Sequence, residues 1–198
     1  MSDPTDLETV IALESATNPR ILLEAGNLSL IAPAERISGP GTTPIMGAFS
    51  NALPSRFSDG TFGVYHAAHK QTTAVAETRF HRERLLRDAG YGAEDLDMRV
   101  YSCTMTGMFH DLRKGPRTSS LYDPASYAAS QAYGVKLHQK NNVDGIVHRA
   151  VRDWENHGEV LVAFRPRCVD HAIPIGYLQY RWDGERIYDV LQVAQLQA

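Results

Sequence analysis

Three stretches carry side chains suited to chemistry. Pro54 to Ala68 contains Arg56 and Tyr65; Thr73 to Arg84 contains Glu77; Leu121 to Ala132 sets Ser130 among Ala125, Ala128, Ala129 and Ala132. An arginine offers a planar fork of donors for phosphate or carboxylate. A tyrosine offers an aromatic face to a flat or cationic ring. A carboxylate stabilises positive charge that develops beside it, and a serine hydroxyl both donates and accepts. Small residues around Ser130 admit a close approach by backbone or ligand. Helical spacing puts Glu77, His81 and Arg84 on one face, with Val75, Ala76, Phe80 and Leu86 round the other side. Taken singly, each residue also has an ordinary reading. Glu77 and His81 form an i,i+4 pair worth about 0.2–0.5 kcal/mol, Tyr65 is a core aromatic, and Arg56 is a loop cation. Ser130 is a mid-helix serine bonding back to a carbonyl.

Other chemistries lack their signatures. No GxGxxG or GxxxxGK[ST] occurs, which excludes a Rossmann fingerprint and a P-loop, and Gly60-Thr61-Phe62-Gly63 is too short for either. No GxSxG elbow presents a serine nucleophile. His66 and His69 fall on opposite faces of a strand, and His81, His110, His138 and His157 form no ligand cluster, so no metal is expected. Cys103 and Cys168 stand alone, fitting no disulfide framework, zinc knuckle or catalytic cysteine signature.

The elements that must position these residues follow from punctuation and periodicity. An N-terminal helical extension over 3–26 is expected: Asp3 caps it, Pro4 takes the first position, Asn18-Pro19 interrupts it and Gly26 closes it. Leu28 to Ala32 is a short apolar run. Pro33 to Ser58 reads as one long loop, of the kind that is functional rather than linker. Thr61 to Ala68 reads as a strand, and Thr73 caps a helix to about Ala89, ended by Gly90. Arg99 to Thr106 alternates as a strand. Asp123-Pro124 opens a helix to about Lys140. Val143 to His148 and Glu159 to Phe164 read as strands, and Tyr177–Trp182, Asp183-Gly184 and Glu185–Val190 as a tight hairpin. Strict βαβ alternation is missing, so the class is α+β.

The chain has 198 residues, 43% hydrophobic and 22% charged, which suits one domain with a full core. A net charge of −3 argues against general nucleic-acid binding. No stretch reaches the ~20 apolar residues of a membrane span. The acidic start, Met1 to Asp6, does not read as a secretory or transit signal, so a cytoplasmic protein is expected.

Taken in order, Arg36-Ile37, Arg56-Phe57, Val64-Tyr65-His66-Ala67, Ala76-Glu77-Thr78 and Ala129-Ser130-Gln131 resemble the RES domain family. These are toxins of bacterial RES–Xre type II toxin–antitoxin pairs. The resemblance runs from about Leu30 to Trp182. It takes in Asp144-Gly145-Ile146-Val147 and Val162-Ala163-Phe164-Arg165-Pro166, which look like the family's later strands. It implies an ADP-ribosyltransferase-like α+β fold, a central split mixed and antiparallel sheet with flanking helices, within one domain over 1–198.

The resemblance also implies NAD⁺ as substrate and no metal. Arg36 and Arg56 would bind its pyrophosphate, and Tyr65 would face the nicotinamide ring. Glu77 would stabilise the oxocarbenium-like ribose and hold a ribose hydroxyl. Ser130 would bond a phosphate, a ribose or Glu77. The acceptor stays open: water, phosphate, or a protein such as a nucleotide-biosynthesis enzyme. Direct arginine modification is disfavoured, because Thr73-Ala74-Val75-Ala76-Glu77 lacks the Glu-x-Glu pattern. A cognate Xre-type antitoxin would cover the cleft. Arg79, Arg82, Arg84 and Arg87 make either a solvated helix face or a docking surface for it. The alternatives are a non-catalytic NAD- or ADP-ribose-binding regulatory module, distinguished by binding without cleavage, and a plain structural protein.

Overall fold

Alternating apolar and polar residues in the C-terminal third build a sheet around one long strand. In the computed structural model, which describes residues 26–194, strands β2 (Glu94–Met105), β6 (Val169–Trp182) and β7 (Ile187–Val193) form an antiparallel sheet in the order β2-β6-β7. Leu178, Tyr180 and Trp182 recur every second residue and face Ile187 and Leu86. Leu86 belongs to helix α2 (Gln71–Asp88), whose Val75 joins the same cluster. Thr78 on α2 also hydrogen-bonds the Tyr180 hydroxyl at 2.8 Å.

The second sheet is mixed. Strands β1 (Tyr65–Ala68), β3 (Phe109–Asp111), β4 (Gly145–Arg149) and β5 (Glu159–Ala163) lie in the order β1-β5-β4-β3, with β3 and β4 parallel and the other pairs antiparallel. Its central strands are covered on both faces, so β4 reads as a nearly continuous buried run. One face packs Ile146, Val162 and Phe164 with Leu137 of helix α3 (Ala128–His138) and with Phe57. Ala163 meets Ile45, Met46 and Phe49 of helix α1 (Thr43–Ser50), together with Val169 and Ala172. The split sheet and the α+β class are those the sequence implies.

The local differences have physical causes. Helix α1 lies inside the stretch expected to be loop: Pro44 sits at the helix start, where it is tolerated, and Ile45, Met46 and Phe49 are buried. Helix α2 begins two residues before Thr73, because Lys70 takes the extended cap position and the Thr73 hydroxyl donates to Asp153 instead. It ends as expected, with Gly90 at φ 68° and Tyr91 N–H bonded to the Leu86 carbonyl. Helix α3 starts at Ala128; Asp123 instead accepts the Ala125 and Ser126 amides in a turn before it. Strand β1 is confined to Tyr65–Ala68, and β2 reaches back to Glu94. The hairpin loop is longer than two residues: Trp182 pairs with Ile187, and Asp183 accepts the Glu185 and Arg186 amides. Most of the expected extension over 3–26 lies outside the described residues.

Candidate functional site

Backbone geometry positions Arg56. Ser55 and Ser58 bridge each other across a tight turn, and Phe57 adopts φ 78° within it. That left-handed conformation is costly for a bulky side chain, and it is held because Phe57 is fully buried. Helix α3 completes the seat. Gly134 lets the Phe57 backbone approach so closely that a Cβ there would stand 2.0 Å from the Phe57 carbonyl oxygen. One turn earlier, Gln131 donates to the Ser55 carbonyl at 3.2 Å.

So seated, Arg56 is only 6% exposed. Its terminal nitrogens donate to the carbonyls of Leu121 at 2.9 Å and Asp123 at 3.1 Å. The guanidinium carbon lies 4.5 Å from the centre of the Tyr127 ring. Burial lowers its pKa, opposed by Tyr127 and by the nearby Glu77 carboxylate. Arg56 therefore holds the 121–127 segment against the turn and places a fixed cation beside Glu77.

Glu77 stands on α2, where its Oε1 accepts the backbone N–H of Arg152 at 3.1 Å. Among the described residues its second oxygen has no hydrogen-bond partner. The Arg152 guanidinium carbon lies 3.3 Å from the centre of the Phe80 ring, and its Nη2 donates to the Pro124 carbonyl at 2.7 Å. Phe80 thus belongs on the Glu77 side of the helix, not with Val75 and Leu86 as the face assignment has it. The angle decides: three residues are five-sixths of a turn, which returns Phe80 nearly over Glu77.

His66 joins this group. Its Nε2 lies 3.3 Å from Ser55 Oγ. The ring is open to water, yet enough protein surrounds it to lower its pKa to about 4, with His81 and Arg56 adding to the effect. His66 is thus exposed to water beside His81 and the Arg56 cation. His81 is lowered in turn by burial and by Arg152, Arg56 and Arg84, and its ring centre is 6.4 Å from that of Tyr127. Two neutral imidazoles, two arginines, a tyrosine and one carboxylate converge there.

The remaining sequence-derived residues lie elsewhere. Tyr65 turns to the other face of β1, among Ile31, Phe49, Tyr101 and Cys103. Burial beside Cys103 pushes its phenol well up. Arg36 donates from Nε to the Ile31 carbonyl and from Nη2 to the Leu28 carbonyl, both at 3.1 Å, while its neighbour Glu35 pairs with Arg167. Ser130 is fully buried, and its hydroxyl donates to the Tyr127 carbonyl at 3.0 Å, the back-bonded arrangement. It supports the backbone of the tyrosine that stacks on Arg56. His66, His81, Arg152, Tyr127 and Phe80 are the site residues that sequence reasoning missed. Arg152 is 75 positions from Glu77 and touches it through its backbone, so no local pattern marks it.

Of the arginine series on α2, Arg79 pairs with Glu83 and Arg84 with Asp88, while Arg87 donates to the Glu185 carbonyl. Among the described residues no group of three or more His, Cys, Asp or Glu is placed to hold a metal, and no helix is long and apolar enough to cross a membrane.

A sequence model described as "RES domain" matches residues 33–183, a span containing Arg36, Arg56, Tyr65, Glu77, Ser130 and Arg152. The chain is also similar to "Uncharacterized protein y4oC" of Sinorhizobium fredii (strain NBRC 101917 / NGR234), 26% identical over 184 residues, covering 91% of this chain and 74% of that one.

Proposed function

Since the chain belongs to the RES domain family, we propose that it is an NAD⁺-cleaving enzyme and the toxin of a toxin–antitoxin pair. The observation that carries this reading is the Glu77 carboxylate: one oxygen is fixed by the Arg152 amide and the other is left for a ligand, beside the buried cation of Arg56. A group held rigidly at one oxygen is preorganised, so it stabilises charge without reorganising during reaction.

In the proposed reaction the bond between ribose C1′ and the nicotinamide nitrogen breaks, and its electron pair leaves with nicotinamide. Positive charge then spreads over C1′ and the ring oxygen. The open oxygen of Glu77 faces that charge and accepts a ribose hydroxyl. An acceptor with a lone pair closes the bond at C1′, and a hydroxyl acceptor also passes its proton to water or buffer. Arg36 and Tyr65 would meet the substrate only if it reaches both faces of β1. The acceptor is a protein, water or phosphate, and a cognate Xre-type antitoxin would act by covering the Glu77 surface.

Incubation with NAD⁺, with and without phosphate, tests this by nicotinamide release and product mass. Release of nicotinamide with ADP-ribose, its phosphate or an ADP-ribosylated protein is the expected result. Tight NAD⁺ binding with no release would replace the enzyme by a nucleotide-binding module.

A further inference from the structure

The loop after β4 is tied to α2 by a chain of contacts that ends on Glu77. Thr73, Glu77 and Phe80 lie four and three residues apart, on one side of the helix. Between them they hold two neighbouring residues of that loop, Arg152 and Asp153. The Thr73 hydroxyl donates to Asp153 Oδ2 at 2.6 Å, Glu77 accepts the Arg152 amide, and Phe80 lies under the Arg152 guanidinium. Thr73 is fully buried and Asp153 is 8% exposed. The second oxygen of Asp153 accepts from Asn156 Nδ2 at 2.7 Å, and the loop closes on itself through Gly158 N–H to the Asp153 carbonyl at 3.0 Å. Gly158 has no room for a side chain: a Cβ would stand 2.5 Å from Asp153 Oδ2 and 2.8 Å from the Thr73 methyl.

From this juxtaposition we propose that Thr73 and Asp153 are positioning residues: their buried hydrogen bond sets the Arg152 amide that holds the Glu77 carboxylate. The Arg152 N–H is the only hydrogen bond to the Glu77 carboxylate among the described residues. The Arg152 N–H belongs to the peptide that joins Val151 to Arg152, and only the φ and ψ of Arg152 separate it from Asp153. A displacement of Asp153 therefore moves the donor, and the carboxylate with it. The consequence for catalysis rests on the NAD⁺-cleaving reading; the contact itself does not.

The test uses the full chain with Thr73→Val, which keeps the shape and removes the hydroxyl, and Thr73→Ser, which restores it. Hydrogen exchange at the Arg152 amide reads the contact directly, and nicotinamide release reads its consequence. The expected result is loss of exchange protection at Arg152 in Thr73→Val, with kcat lower by about 10–100-fold and KM for NAD⁺ unchanged, and recovery of both in Thr73→Ser. If Thr73→Val fails to fold, Asn156→Ala removes only the exposed donor to Asp153 and gives the same changes at smaller amplitude. Unaltered protection at Arg152, or equal loss in Thr73→Ser and Thr73→Val, overturns the proposal. A wild-type chain that releases no nicotinamide overturns the catalytic reading instead, while the exchange measurement still decides the positioning role.

Discussion

Tyr65 and His66 are neighbours on β1 and face opposite sides of the sheet. Tyr65 is turned into the cluster that holds Cys103 and Tyr101, and His66 toward Ser55, His81 and Arg56. The alternation of a strand makes this unavoidable. Only one of the two can share a surface with Glu77, and the electrostatic neighbours of His66 place it there.

Glu77→Gln is expected to fold normally and to lose activity. The glutamine carbonyl still accepts the Arg152 amide, but no charge faces the developing cation. The rate of nicotinamide release should fall by about 10²–10³, with an unchanged melting temperature. Wild-type rates in the variant would return Glu77 to a plain helix-face residue.

Arg56→Ala is expected to act through stability before it acts on NAD⁺. It strands the Leu121 and Asp123 carbonyls that the guanidinium satisfies, at a cost of about 2–4 kcal/mol. Arg56→Lys should recover only part of this, since an ammonium cannot span both acceptors as a fork does. Urea unfolding of the two variants decides it: equal stability to wild type would mean that the clamp contributes nothing.

For Tyr65, the phenyl ring matters more than the hydroxyl. Tyr65→Phe keeps the packing among Phe49, Tyr101 and Cys103 and should retain most NAD⁺ turnover. Tyr65→Ala opens a cavity between the sheets and should cost about 3 kcal/mol. Calorimetric unfolding alongside NAD⁺ titration separates the two effects. A Tyr65→Phe protein as impaired as Tyr65→Ala would show that the hydroxyl is what is needed.

Stability should fall with acid. Burial holds His148 down to about 3 and His138 to about 4, and His66 is lowered to about 4. The unfolded chain protonates these rings near 6.5, so it binds more protons than the fold does, and stability drops as pH falls from about 6.5 toward 3. His148 is 3% exposed, and its Nδ1 bonds the Arg149 carbonyl. Each unit of depression there corresponds to about 1.4 kcal/mol. His148→Gln keeps a donor and removes the titration, so its unfolding free energy should depend less on pH over this window. A slope equal to the wild type's would assign the acid sensitivity to other groups.

Gly134→Ala should be strongly destabilising even though alanine favours helix, because the new methyl meets the Phe57 backbone and not a flexible side chain. A loss of at least about 1–3 kcal/mol is expected, with a lower melting temperature as its measure.

Much of the secondary structure was legible in local pattern. The strand-like run at 145–149, the Val- and Leu-rich run at 159–163, the alternation through 99–105 and the Gly90 stop of α2 are set by neighbours a few residues away. Helix α1 was not, because Pro44 and Gly47 read as loop until Ile45, Met46 and Phe49 have a core to enter. The candidate site divides the same way. The ordered Arg, Tyr, Glu and Ser stretches identify the family from sequence alone, since they are a property of residue order.

Which of those residues meet is a property of the fold. Arg56 and Glu77 converge because Gly134 lets a strained turn dock on α3 and the loop after β4 reaches α2. Tyr65 departs to the other face through strand alternation, and Ser130 turns its hydroxyl back to its own helix. Asp153 and Arg152 carry no signal in the linear chain, and Thr73 reads there only as a helix cap. Their roles rest on contacts 75 and 80 residues apart in sequence, one of them made by a backbone amide whose direction is independent of its side chain. Sequence determined the family and the class and marked Glu77 as a candidate; tertiary structure decided what holds its carboxylate in place, because a hydrogen bond depends on where two atoms lie and not on how far apart they are along the chain.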